Sequence, residues 1–182
     1  MDLLRDYMNE HYAAARNQQM MRLDSEITKN LAPEDEKRLL ENVQSYITKV
    51  DPHILIFEDY DKGILTESVI REVIGICQKA GVVTSVDPKR KHFFSYEGVD
   101  IFKPNMKEVR EALNLLIEEV TPSLLKDIHQ QLQEKLHHKI SVITLADKGI
   151  FYQQDKDTSL IPSHLRNISD VSGAGDHGQS AA

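Results

Sequence analysis

The sequence predicts an α/β fold in which a mostly parallel β-sheet carries helices on both faces. Three observations lead to this prediction. Short apolar runs of strand length alternate along the chain with longer segments of helical periodicity. The connections between them suit parallel strands joined through helices. Polar clusters follow the runs that end at Phe57, Val86, Phe102 and Thr144, and ligands of parallel sheets bind beyond such carboxyl ends.

The first clear elements are a helix and a strand between residues 33 and 57. Pro33 suits the first turn of a helix, and the three acidic residues after it suit the positive end of the helix dipole. The pair Asp51-Pro52 ends this helix, because a residue before proline disfavours helical geometry. Residues 53–57 are then a short apolar run, which predicts a buried strand.

The next helix and strand lie between residues 66 and 88. Thr66 can cap a helix with an apolar inner face, and Gly81 fits the position just after its end. Residues 82–86 predict the second strand, which ends at Asp87-Pro88.

The second half of the chain continues the alternation and closes with a hairpin. The predicted elements are a strand at 99–102, helices at 109–120 and 121–136, and strands at 140–144 and 150–152. A turn at Asp147-Lys148-Gly149 separates the last two strands. No internal repeat or linker interrupts the pattern, so we expect residues 1–182 to form a single domain.

Composition excludes several classes of function. The net charge of −7 argues against a broad nucleic-acid surface, which needs a basic face. The single cysteine, Cys77, allows no intramolecular disulfide. No apolar run is long enough to span a bilayer and the N-terminus lacks a signal-peptide pattern, so we expect a cytoplasmic protein. His137 and His138 lie at a predicted helix end, where an imidazole suits the dipole.

The segment Asp170-Val171-Ser172-Gly173-Ala174-Gly175-Asp176 carries the most chemistry. Its glycines let successive backbone N–H groups point into one concavity, which can hold an anion. A carboxylate beside that concavity can accept a proton from a hydroxyl group. Phosphoryl transfer needs both an anion site and an oriented attacking oxygen.

Two other interpretations of this segment compete. Gly173, Gly175 and Gly178 match G-x-G-x-x-G, but a dinucleotide fold needs a further strand and an acidic residue about 20 positions later. The sequence stops at Ala182, which speaks against that interpretation. A glycine-rich tail without a site stays open on spacing alone. A lysine-bearing P-loop is absent from the sequence.

Several motifs, taken in order, resemble the PfkB, or ribokinase-type, carbohydrate kinases. Residues 170–176 resemble the family signature D-[TV]-[ST]-G-A-G-D. Pro104-Asn105-Met106-Lys107-Glu108 resembles its P-N-x-x-E motif, and residues 144–149 resemble its T-L-G-x-x-G pattern. The resemblance covers about residues 16 to 176. It implies a three-layer ribokinase-like fold that uses ATP and Mg²⁺ to phosphorylate a sugar or sugar phosphate.

The resemblance assigns the catalytic roles to the glycine-rich segment. Asp176 would deprotonate the sugar hydroxyl, and the backbone N–H groups of Gly173, Ala174 and Gly175 would form the anion hole.

The cofactor roles fall on four residues that also have ordinary structural explanations. The resemblance implies that Asn105 and Glu108 organise Mg²⁺ and that Thr144 and Gly149 line the ATP site. Without it, Asn105 and Glu108 would simply begin a helix. Gly149 would be a hairpin glycine, and Thr144 an ordinary residue at a strand end.

The substrate roles rest on a narrower resemblance. Asp59-Tyr60-Asp61-Lys62-Gly63 and Asp87-Pro88-Lys89, with Asn17-Gln18-Gln19 and Arg22, resemble the bacterial heptose-phosphate kinases of lipopolysaccharide-core synthesis. This resemblance implies that Asp59, Lys62 and Lys89 bind D-glycero-D-manno-heptose 7-phosphate, which becomes the 1,7-bisphosphate. Otherwise Asp59 would be a turn former, and the lysines would be solvated loop residues.

Both ends of the family pattern are missing from this sequence. The strands and lid that usually precede Asn17, and the long helix that usually follows Asp176, have no counterpart. We therefore expect residues 1–182 to form a partial carbohydrate-kinase domain that is incomplete at both termini. Exposed sheet edges would favour self-association into a homo-oligomer. The alternative function is a non-catalytic remnant that binds a nucleotide or a partner.

Overall fold

The computed structural model describes residues 28–163, which form one six-stranded sheet and four α-helices. The strands lie side by side in chain order. They are β1 (Ile54–Glu58), β2 (Val83–Asp87), β3 (Ile101–Phe102), β4 (Ile140–Thr144), β5 (Ile150–Gln154) and β6 (Asp157–Ile161). The first four strands are parallel to one another, and β5 and β6 are added by antiparallel pairing. The predicted α/β fold with a mostly parallel sheet is confirmed.

The helices are α1 (Pro33–Val50), α2 (Glu67–Ala80), α3 (Met106–Leu113) and α4 (Pro122–Leu136). Local sequence explains how α2 begins and ends. The Thr66 hydroxyl accepts a hydrogen bond from the backbone N–H of Val69 at 3.2 Å, which satisfies one of the free donors of the first turn. Gly81 ends α2 with a φ of 73°, a left-handed conformation that costs glycine little. Both predictions for this helix are confirmed.

The third helix is shorter than the sequence predicts. Helical spacing over residues 109–120 predicts one continuous helix, but α3 ends at Leu113. Asn114 adopts a left-handed conformation with a φ of 51°, which asparagine tolerates better than most residues. Leu116 is consequently fully exposed, so its place in the apolar pattern does not reflect burial.

The core of residues 28–163 lies on one face of the sheet. Alternate strand residues point toward it, and the inner faces of the helices join the same cluster; the buried strand members include Phe57, Val86, Phe102, Ile143 and Phe151. On the opposite face Ile54, Ile56 and Val83 are 45%, 60% and 41% exposed. The four helices between residues 28 and 163 therefore cover one face of the sheet, and the second helical layer that the sequence predicts is not formed by them.

No helix between residues 28 and 163 combines the length and the hydrophobicity that crossing a membrane requires.

Candidate functional site

Within residues 28–163, the predicted site residues lie at one edge of the sheet, where the parallel strands have their carboxyl ends. Glu58 is paired with Asp87 across β1 and β2, and Asn105 forms a bridge to Thr144 at the end of β4. The loops that begin at Asp59, after Asp87, at Lys103 and after Thr144 therefore start side by side. The sequence pattern predicted this edge, because parallel strands place their carboxyl ends together.

Asn105 and Glu108 form a capping box at the start of α3. The Asn105 side-chain oxygen Oδ1 accepts the backbone N–H of Glu108 at 2.9 Å, and Glu108 Oε2 accepts the backbone N–H of Asn105 at 2.8 Å. The helix-start role that the sequence left open is thus observed. Their role toward Mg²⁺ stays a prediction, although the capping box fixes the Glu108 carboxylate at the edge of the sheet.

Two lysines and two carboxylates form a charged network around that capping box. Lys89 Nζ donates to Glu108 Oε1 at 2.9 Å and lies 3.6 Å from Asp87 Oδ1. Lys103 Nζ donates to Asp87 Oδ2 at 2.6 Å. Burial would lower the pKa of Lys89, but its hydrogen bond to Glu108 and the charges of Glu108 and Asp87 outweigh burial and raise that pKa. Lys89 therefore stays protonated at the carboxyl edge of the sheet.

Lys103 and Asp87 are members of this network that the motifs alone did not single out as site residues. Each lies at the carboxyl end of a strand, Asp87 at the end of β2 and Lys103 directly after β3. Neighbouring strand ends with opposite charges are a sequence signal that could have identified them.

Asp59 is held inside the structure rather than on its surface. Its carboxylate oxygen Oδ1 accepts the backbone N–H of Asp61 at 2.8 Å, and its Oδ2 accepts the Tyr96 hydroxyl at 2.9 Å. Asp59 is 3% exposed and Tyr96 is fully buried. Burial, followed by the charge of Asp59 and the hydrogen bond to it, raises the pKa of Tyr96, so the phenol remains a donor. The turn-forming role of Asp59 is observed, and its role toward substrate stays a prediction.

The loop at residues 59–63 also carries Lys62 and ends in close contact with the segment before α1. Gly63 has a φ of 79°, and a Cβ there would lie 2.1 Å from the Lys29 carbonyl oxygen. The Leu31 N–H donates to the Gly63 carbonyl at 3.0 Å. Only glycine fits this approach, so the path of the loop that presents Lys62 is fixed at its far end.

An open cleft of about 660 Å³ lies beside the ends of β4 and β6. Thr144, Gly149 and Asn105 line it together with the apolar side chains of Ile150 and Ile161. Its volume is in the range of small-molecule sites, and apolar walls with a few polar groups are typical of them. The structure therefore brings the predicted ATP-site residues and Asn105 to one cleft.

Gly149 also has the structural role that the sequence left open. Its φ is 96°, and a Cβ at this position would lie 1.9 Å from the carbonyl oxygen of Ile161. Glycine is therefore required at position 149, where the turn between β4 and β5 passes the end of β6.

The predicted catalytic residues Asp176, Gly173, Ala174 and Gly175 lie outside the described residues. Their position relative to Asn105 and Glu108 is a prediction. Among residues 28–163, no group of three or more His, Cys, Asp or Glu side chains could hold a metal ion by itself.

A protein-family model and several curated proteins match most of this chain. A family model described as "pfkB family carbohydrate kinase" matches residues 11–178. The protein named "Bifunctional protein HldE" of Aliarcobacter butzleri is 35% identical over 162 residues, which are 89% of this chain and 33% of that protein. The protein of the same name from Helicobacter pylori is 32% identical over 162 residues, 89% of this chain and 34% of that protein. The chain thus spans about a third of the length of these relatives.

Solved structures show the same fold at lower sequence identity. Phosphofructokinase-2 from Escherichia coli, in complex with potassium, superimposes with a TM-score of 0.60 at 18% identity, over 73% of this chain and 42% of that one. Arabidopsis thaliana ribokinase, complexed with ribose and ATP, gives a TM-score of 0.59 at 19% identity, over 81% of this chain and 44% of that one. The ribokinase-like fold that the motifs predict is confirmed.

Proposed function

The chain belongs to the pfkB family of carbohydrate kinases, and on this premise we propose that it carries part of a site that transfers a phosphoryl group from ATP to a sugar phosphate. The specific substrate we propose is D-glycero-D-manno-heptose 7-phosphate, phosphorylated at its anomeric oxygen. The observation that carries the proposal is the shared edge of the sheet. There the loops at residues 59–63, 87–89 and 103–108 and the cleft at Thr144 start side by side, and each bears a motif in family order.

The charges at this edge suit a substrate with several phosphate oxygens. Lys89 and Lys103 are each about two-fifths exposed. Lys89 forms ion pairs with Asp87 and Glu108, and Lys103 forms one with Asp87. An arriving phosphate offers these lysines a stronger acceptor than a partly solvated carboxylate. Lys89 and Lys62 would then hold the substrate phosphate, and the apolar cleft at Thr144 and Gly149 would take the nucleotide.

The residues around Glu108 fit a Mg²⁺ ion that takes most of its ligands from ATP and water. Mg²⁺ is usually bound through one or two carboxylates plus phosphate oxygens and waters. The Glu108 carboxylate is fixed by the capping box, and each oxygen keeps a lone pair beyond its present hydrogen bond. Bound Mg²⁺ would neutralise the charge that develops on the transferring phosphoryl group.

In the proposed reaction, Asp176 accepts the proton of the attacking hydroxyl and the Gly173–Gly175 amides hold the transferring group. The test is Asp176→Asn in the full chain, with Asp170→Asn as a control in the same segment. We expect Asp176→Asn to reduce formation of the 1,7-bisphosphate at least about 100-fold while the affinity for ATP, measured by calorimetry, is kept. Phosphorus NMR of the product measures the first quantity. Equal loss of both quantities, or loss of neither, would remove Asp176 from this role.

A second candidate is a non-catalytic protein that binds a nucleotide or a partner. The exposed apolar side chains of Ile54, Ile56 and Val83 on the open face of the sheet favour it, since such patches mark interaction surfaces. ATP binding without any turnover of the sugar phosphate would support this candidate over the kinase.

A further inference from the structure

Tyr96 connects two segments that are far apart in sequence through one buried hydrogen bond. It lies in the connection between β2 and β3, and Asp59 directly follows β1. The Tyr96 hydroxyl donates to Asp59 Oδ2 at 2.9 Å, and its ring packs edge-on against Phe57 with centroids 5.6 Å apart. The ring alone would fill this part of the core equally well as phenylalanine, so the hydroxyl needs a separate explanation.

The hydroxyl holds the carboxylate that shapes the loop at residues 59–63. Asp59 Oδ1 accepts the backbone N–H of Asp61, which fixes the turn that leads to Lys62. If the Tyr96 hydroxyl is removed, Asp59 keeps a buried oxygen without its donor, and a buried charged acceptor without a partner is costly. The turn then relaxes toward solvent, and Lys62 moves with it.

An ion pair between Lys91 and Asp61 also contacts this turn, but it is weak by comparison. Lys91 Nζ lies 3.7 Å from Asp61 Oδ1, and both side chains are 43% exposed. Exposed ion pairs of this kind contribute little. The far end of the loop is fixed at Gly63 by its contact with Lys29, and the buried hydrogen bonds of Asp59 to Tyr96 and Asp61 hold the near end.

We propose that Tyr96 is a positioning residue for substrate binding, which acts through Asp59 to place the loop that presents Lys62 to the sugar phosphate. The proposal rests on the function proposed above, because it takes this loop as the part of the site that meets the substrate. The phenol does not touch the substrate. Its effect is therefore on the affinity for the sugar phosphate and not on the nucleotide cleft, which lies at the ends of β4 and β6.

The test compares Tyr96→Phe with Tyr152→Phe in the full chain. Tyr152 is a suitable control because its hydroxyl also donates one hydrogen bond, to Gln154 at 2.8 Å, but at the surface. We expect Tyr96→Phe to raise KM for heptose 7-phosphate about tenfold, the loss of one hydrogen bond to a charged group. KM for ATP and kcat should stay within about twofold, and Tyr152→Phe should change none of the three. An unchanged KM for the sugar phosphate, or an equal rise in both KM values, overturns the proposal.

Amide hydrogen exchange separates this proposal from the proposed function. Exchange at Asp61 and Lys62 should accelerate in Tyr96→Phe and not in Tyr152→Phe, because the turn loses its anchor. If exchange accelerates but the wild-type chain binds no sugar phosphate, the function is refuted and Tyr96 is reduced to an anchor of the turn. If exchange is unchanged, the positioning role is refuted whatever the chain phosphorylates.

Discussion

Mild acid should destabilise this protein through a buried group of two imidazoles and one hydroxyl. His129 Nδ1 and His138 Nε2 lie 2.8 and 2.7 Å from the same Ser141 Oγ. All three residues are buried, and His138 Nδ1 has no hydrogen-bond partner among the described residues. One hydroxyl can donate to one ring and accept from the other, so both contacts to Ser141 can be made with both rings neutral, and the ring that accepts must be neutral.

The size of this loss of stability follows from the pKa shift of His138. Burial, followed by the charge of His129, lowers the pKa of His138 from 6.5 to about 4. The unfolded chain therefore binds a proton more readily than the folded one between these two values, and stability is lost as the pH falls from 6.5 toward 4. The loss is about 2 kcal/mol between pH 7 and pH 5 and levels off near 3 kcal/mol below pH 4, at about 1.4 kcal/mol per pKa unit.

His129 also lowers the stability as the pH falls. Burial lowers the pKa of His129, and the charge of Asp155 opposes that shift without cancelling it. Both imidazoles therefore change the stability in the same direction as the pH falls. Against a typical unfolding free energy of about 5–15 kcal/mol, a loss of this size is readily measured.

Urea unfolding at pH 7 and pH 5 measures the loss directly. His138→Gln can keep a hydrogen bond to Ser141 but does not titrate, so most of the pH dependence should disappear. His53→Gln is the matched control, because His53 is exposed and its replacement should leave the wild-type pH dependence intact. If His138→Gln and the wild-type chain lose the same free energy between the two pH values, the reasoning about this buried group is wrong.

Two further predictions concern Asn105 and Gly149, which each have a structural and a functional explanation. Asn105→Ala should lower the unfolding free energy by about 1 kcal/mol, because the first turn of α3 loses its cap, whereas Lys107→Ala in the same turn should cost little. Urea midpoints at pH 7 compare the two. Gly149→Ala should cost about 2 kcal/mol or more, since a Cβ meets the Ile161 carbonyl in a conformation that favours glycine. Thermal unfolding beside Gly75→Ala, where a Cβ meets no atom within 4 Å, checks this; equal effects of the two changes would contradict it.

The parts of the fold that depend on local periodicity could be predicted from the sequence. The four parallel strands and the caps at Thr66 and Gly81 follow from short-range patterns and were found where expected. Strand β6 was missed because Asp157–Ile161 has little apolar alternation. Its hairpin turn uses Asp155 at a φ of 50° without the glycine that usually marks such turns.

The contacts that organise the candidate site depend on tertiary structure and could not be predicted. Tyr96 and Asp59 are 37 positions apart, and no periodicity relates them. His138 lies just beyond a helix end, where the sequence indicates only that an imidazole suits the dipole, and its neighbour His137 is exposed beside Glu97. His138 is instead directed into the core, because the chain turns at His137 with a φ of 52° and enters β4.

The two explanations for Asn105 and Glu108 describe the same geometry. A capping box requires a carboxylate three residues after the cap and fixes it against the first turn of the helix. That turn lies at the carboxyl edge of the sheet, so the structural hydrogen bonds also fix the Glu108 carboxylate at the edge where the proposed function would place Mg²⁺. Lys89 occupies its second oxygen at 2.9 Å and partly neutralises it. If the proposed function holds, a substrate phosphate that binds Lys89 would free this oxygen of Glu108, and calorimetry should show a higher affinity for Mg²⁺ in the presence of the sugar phosphate than in its absence.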